Sequence, residues 1–115
     1  MMSDINTEGM AIAPGVVETI VVLAVRDVAG VASVGEAPTG IRSLLSFTQS
    51  SQGVEVIPEE DGTVAVELSI RVISGYSLNT IAESVRNAVA DAILSQVGLA
   101  VSRVDIRVDG IQFQD

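Results

Sequence analysis

Thr63 to Ile73 reads TVAVELSIRVI, with Val64, Val66, Leu68, Ile70 and Val72 at every second position. Ala65, Glu67, Ser69 and Arg71 lie between them. A period of two puts the first set on one face of a strand and the second on the other. This is a half-buried strand, and it organises its surroundings. Upstream, Val54 and Val56 repeat the alternation, and Pro58-Glu59-Glu60-Asp61-Gly62 is turn chemistry, so the pair forms a hairpin. Downstream, Gly75 ends the strand and a helix is expected from about Leu78 to Val97. Ile81, Val85, Ala88, Val89, Ala92, Ile93 and Val97 make its apolar stripe. Ser77 fits an N-cap, Thr80-Ile81-Ala82-Glu83 also fits a capping box, and Gly98 is the expected stop. A last strand runs from Val101 to Val108, with an extension toward Phe113. Val104, Ile106 and Val108 point one way; Arg103, Asp105, Arg107 and Asp109 point to a solvated outer face, within reach of Glu67 and Arg71. Strand, helix and strand then form a right-handed crossover between parallel strands.

Toward the N-terminus the pattern is less regular. Residues 1–8 are polar and expected to be a disordered tail. Met10 and Ile12 mark a weak first strand within Gly9 to Ala13. Pro14 opens a helix that should run to about Ala29 and stop at Gly30. Its apolar residues (Val16, Val17, Ile20, Val21, Leu23, Ala24, Val25, Val28) sweep an arc about 200° wide. Val22 falls outside that arc, among polar positions. An arc so broad suits a helix wedged between a sheet and a second helix, or one that also meets another protein. Val31 to Val34 is a doubtful short strand. Gly35 to Gly53 is a loop carrying Ile41, Leu44, Leu45 and Phe47. The candidate protein-interface residues are Val22, Arg26 and Phe47.

The expected fold is α+β: a two-layer sandwich in β-α-β-β-α-β order, with a small mixed sheet and two helices on one face. Residues 9–113 form a single domain.

Composition narrows the function. The net charge is −9, from 15 acidic and 6 basic residues, and every basic residue is an arginine. Such a surface opposes nucleic-acid binding, which relies on cations displacing counterions from phosphates. With no Cys, His or Lys, the chain lacks thiolate metal sites, the commonest general base, the phosphate-loop lysine and Schiff-base chemistry. No catalytic residue, cofactor site or metal site is expected. The Glu59-Glu60-Asp61 cluster lacks the spacing of a calcium loop. Tyr76 is expected to pack over the second helix start. MMSDINTEGM has neither the basic nor the apolar region of a signal peptide, and Val16 to Val25 is too short to cross a bilayer. No direct membrane insertion is expected.

The succession GMAIAPGVVETI, VAGVASV, GVEV, TVAVELSIRVISGYSL, IAESVRNAVADAI and GLAVSRVDIRVDGIQF, from Gly9 to Phe113, resembles the alkaline shock protein and general stress protein family of bacterial envelope-stress proteins. The chain differs from that family's usual pattern at both helix starts, with Ala13-Pro14-Gly15 and Ser77-Leu78-Asn79-Thr80. The resemblance implies a cytoplasmic, non-enzymatic scaffold that self-associates and is held near the membrane by a small membrane-anchored protein. A regulatory subunit of a cytoplasmic, for example lipid-metabolic, enzyme is the alternative. A nucleic-acid-binding module ranks below both.

Overall fold

The computed structural model describes residues 5–7, 9–35 and 53–113. Its elements are β1 (Ile5–Thr7), β2 (Met10–Ile12), α1 (Pro14–Arg26), β3 (Val31–Val34), β4 (Val54–Pro58), β5 (Val64–Ile73), α2 (Leu78–Val97) and β6 (Val101–Gln112). The α+β class and the mixed sheet match expectation, and so does the element order apart from β1, an added strand that pairs with β2 in a separate two-stranded sheet.

The long alternating strand β5 is the centre. On one side β4 pairs antiparallel with its first half, Val56 opposite Val66, and β3 pairs antiparallel with its second half, Val34 opposite Ile70. On the other side β6 runs parallel along its whole length, Val66 opposite Val104. A mixed sheet of this kind follows from the connections: a five-residue turn suits an antiparallel return, whereas a 20-residue helix suits a parallel crossover. Strands β3 and β4 lie end to end. Gly35 donates its N–H to Ser69 O at 2.8 Å, and Ser69 donates its own to Gly53 O at 2.9 Å. A Cβ on Gly53 would collide with the Gly35 backbone, so only glycine lets the edge strand depart at 35 and return at 53. Residues 36–52, expected as a loop and including Phe47, lie outside the described residues.

The core is the apolar face of the sheet under the helices. Val54, Val56, Val64, Val66, Leu68, Ile70 and Val72 are buried against Val17, Val21 and Val25 of α1 and Ile81, Val85, Val89 and Ile93 of α2. Burying a Val or Ile side chain is worth about 1.5–3 kcal/mol, so this layer supplies most of the drive to fold. Ala65 is also fully buried, although it lies on the wet face. It stands in register between Ile57 of β4 and Arg103 of β6, on the central strand.

Two boundaries differ from expectation. Ile5 is buried and β1 pairs with β2, Ile5 opposite Ile12, so the disordered tail expected over residues 1–8 does not include Ile5–Thr7. An apolar side chain with a paired strand can dock on the core despite polar neighbours. Residues 1–4 and 8 are outside the described residues. Helix α1 ends at Arg26, not near Ala29. Two tight turns, Val28 N–H to Val25 O and Val31 N–H to Val28 O, lead into β3. Gly30 is still where the chain turns, because a Cβ there would meet Ile81 Cδ1 at 2.8 Å and Tyr76 Cγ at 3.0 Å. Val31–Val34, the doubtful segment, is a true strand. At α2, Ser77 is the cap, accepting from the Thr80 N–H at 3.4 Å. Gly98 closes the helix in the left-handed region at φ 82°, donating its N–H to Ile93 O and Leu94 O.

Candidate functional site

Helix α1 is turned away from the orientation its composition suggests. Val17, Glu18, Val21, Val22 and Val25 face inward; Val16 and Leu23, at 50% and 55% exposure, face outward. Val22 is only 7% exposed and belongs to the core. Its expected place among the solvent-facing positions, as an interface side chain, is therefore corrected. The arc is wider than the interior can accept, and packing against α2, β3 and β4 chooses which part is buried. Glu18 is drawn in as a consequence, and Val16 and Leu23 are left out beside half-buried Ile20. Arg26 is exposed in the last turn of α1.

The far side of β6 is an edge. Among the described residues β6 pairs only with β5. Ser69 of β5 directs its backbone groups to Gly35 and Gly53, so the odd residues of β5 serve the β3–β4 side. Its even residues serve β6, as at Val64 N–H to Ala100 O, 3.0 Å. In a parallel ladder a strand residue bonds the neighbours of its register mate. Val66, Leu68 and Ile70 stand beside Val104, Ile106 and Val108. Arg103, Asp105 and Arg107 therefore spend their backbone groups on β5. Those of Val104, Ile106 and Val108 point to the outer edge. Arg86 of α2 reaches that edge, its Nε donating to Val104 O at 3.5 Å.

The polar face of β6 carries the alternating charges. Arg103 meets Asp105 at 2.8 Å and Glu67 at 3.5 Å, and Arg107 meets Asp109 at 2.7 Å. Exposed pairs like these contribute about 0–1 kcal/mol each. Exposed apolar side chains mark the end of the strand: Val108 and Ile111 within it and, just past it at 76% exposure, Phe113.

The acidic turn is built as a turn. Thr63 N–H donates to Asp61 Oδ1 at 3.0 Å, and the Thr63 hydroxyl lies 2.6 Å from the same oxygen and 2.9 Å from Glu59 Oε1. The hydroxyl first, then the N–H, hold the Asp61 carboxyl below the usual Asp range. Among the described residues no three acidic side chains group as a metal site would require. No described helix is long and apolar enough to cross a membrane.

Known proteins place the chain in a family. It is 30% identical to the uncharacterised protein YqhY of Bacillus subtilis (strain 168) over 111 residues, covering 96% of this chain and 82% of that protein. It is 29% identical to the uncharacterised protein Spy1535 of Streptococcus pyogenes serotype M6, covering 89% of this chain and 78% of that one. Among solved structures it overlays on MamM CTD forms. One matches at TM-score 0.49 and 15% identity, covering 83% of this chain and 94% of that chain; another matches at 0.48 and 14%, covering 87% and 94%. The family model for the alkaline shock protein 23 family, described by its cell envelope-related function, matches residues 3–113. The chain belongs to the alkaline shock protein 23 family.

Proposed function

We propose that this chain is a non-enzymatic scaffold of the bacterial cell envelope that self-associates and is held beneath the membrane by a small membrane-anchored protein. The observation that carries the reading is α1, which buries a charged residue, Glu18, while leaving Val16 and Leu23 in solvent. Exposed apolar side chains aligned on one helix face suit contact with another protein. The cell envelope-related function of the family supports the setting. The lack of His, Cys and Lys removes the side chains most often used for acid–base, nucleophilic and Schiff-base catalysis, which supports a role through contact, not turnover.

The test is an affinity capture of the tagged protein from detergent-solubilised cells, paired with its mass in solution by sedimentation. Recovery of a small membrane protein, together with a mass above that of the single chain, is the expected result. A single-chain mass with only a soluble enzyme recovered overturns the scaffold and replaces it with a regulatory subunit.

A further inference from the structure

We propose that a second copy of this chain pairs antiparallel with the outer edge of β6, about a two-fold axis at Ile106, so that the two sheets become one. The proposal rests on the self-association reading above and names its surface and register. Three features of β6 meet here.

The first is backbone availability. Val104, Ile106 and Val108 turn their N–H and C=O groups to the outer edge, and such a row is a template for another strand. With the axis at Ile106, Ile106 opposes itself and Val104 opposes Val108 of the second copy. Each of these is a hydrogen-bonded pair of an antiparallel ladder. The Val104 carbonyl that now accepts from Arg86 retains a second lone pair for this bond.

The second is charge. On the polar face the order is Arg103, Asp105, Arg107, Asp109. Reversed against itself about Ile106, Arg103 opposes Asp109 and Asp105 opposes Arg107, and the two-fold repeats both pairs. Each cation then faces an anion. Sliding by one register step sets Arg103 against Arg107 and Asp105 against itself, or Asp105 against Asp109 and Arg107 against itself. Sliding by two steps keeps only half of the favourable pairs. Like charges directly opposite on a sheet are destabilising, so the pattern selects one register. An interface in which a surface meets its own copy must be self-complementary in this way.

The third is length. The register between β5 and β6 shifts near Ser102 and again near Asp109. The register is therefore unbroken from Arg103 to Val108, and Asp109, at the second shift, still meets Arg107 on the polar face at 2.7 Å. Val108, 40% exposed, would gain Val104 of the second copy as a neighbour on the apolar face.

The test is a charge swap read by sedimentation equilibrium, with circular dichroism to confirm folding. One variant carries Arg103→Asp and Arg107→Asp; the other carries Asp105→Arg and Asp109→Arg. Each alone should associate more weakly by about tenfold or more, because every opposing pair becomes like-charged. Mixed in equal amounts, they should associate again, because every pair is once more opposite. Reassociation on mixing cannot come from a structural defect.

A wild type that stays monomeric would sink the self-association reading itself. A wild type that associates, with both variants unchanged, overturns the β6 edge and leaves that reading standing. Variants that dissociate but do not recombine overturn the pairing of these charges across the β6 edge. Should either variant fail to fold, the natural absence of cysteine permits a second measurement. Asp105→Cys and Arg107→Cys chains, mixed and oxidised, should form a mixed disulfide in preference to either self-disulfide. These positions are a non-hydrogen-bonded pair with Cα atoms about 4.5 Å apart. A statistical mixture of the three disulfides overturns the proposal.

Discussion

The two helices contrast in how much they say about their own placement. In α2, Ile81, Val85, Val89 and Ile93 are buried in a narrow stripe with charged neighbours on the opposite side. One orientation hides the stripe, and the helix takes it. In α1 almost every position is apolar, so many orientations bury a similar area. Packing against α2 and the β3–β4 edge then decides, and it buries Val22 and Glu18 while exposing Val16 and Leu23. A narrow stripe specifies an orientation; a broad one leaves that choice to the neighbours.

The contrast can be broken first at α2. Val89→Asp places an unpaired charge at a fully buried position between helix and sheet. It should abolish the cooperative thermal transition; a variant that melts like the wild type would deny that this stripe is the core. Next comes α1, where two adjacent residues should behave oppositely. Val22→Asp should cost about 3 kcal/mol or more, because it buries a charge. Leu23→Asp should change stability by about 0.5 kcal/mol or less, as surface substitutions do. Urea titrations of both variants measure the difference, and equal midpoints would place α1 in some other rotation.

A smaller effect separates the helix starts. Ser77 caps α2 with its side chain, whereas Ala13 gives α1 no side-chain cap. Ser77→Ala should lower stability by about 0.5–1 kcal/mol, and Ala13→Asp should raise it by a similar amount. Chemical denaturation of both would show whether the contrast lies in the caps. The smallest effect lies in the hairpin turn. Its hydrogen bonds lower the Asp61 pKa in the folded chain. The stabilisation is therefore present above the unfolded carboxyl pKa and lost as pH falls through the lower folded value. Thr63→Val should return the Asp61 titration, followed by NMR, toward the ordinary Asp range. An unchanged titration would assign the shift to another cause.

Much of the sheet was legible in the residues. Period-two alternation in Val64–Ile73 and in Val54–Val56 marked two strands, and turn chemistry joined them. The candidate surface was legible only in part. The charges of β6 were visible as a solvated face, but not that its backbone forms an outer edge, because strand order is a long-range property. Val22 was misplaced for the same kind of reason. A helical wheel ranks faces by composition, and in α1 composition barely distinguishes them. Arg26 is exposed, as an arginine at a helix end should be. Strand β3 was doubtful from four residues alone, and its pairing with Ile70 to Val72 makes it a strand.

By itself the sequence determined the alternation of β5, the stripe of α2, the turn at Pro58–Gly62, the stop at Gly98 and the acidic balance without His, Cys or Lys. These are set by local stereochemistry and by side-chain identity, which need no distant neighbour. Tertiary structure alone decided the rotation of α1, the burial of Glu18, the end-to-end placement of β3 and β4, and the outward edge of β6. Each of these depends on which of several nearly equal local options lets separated segments close-pack and pair their backbone groups, and a local pattern carries no record of that competition.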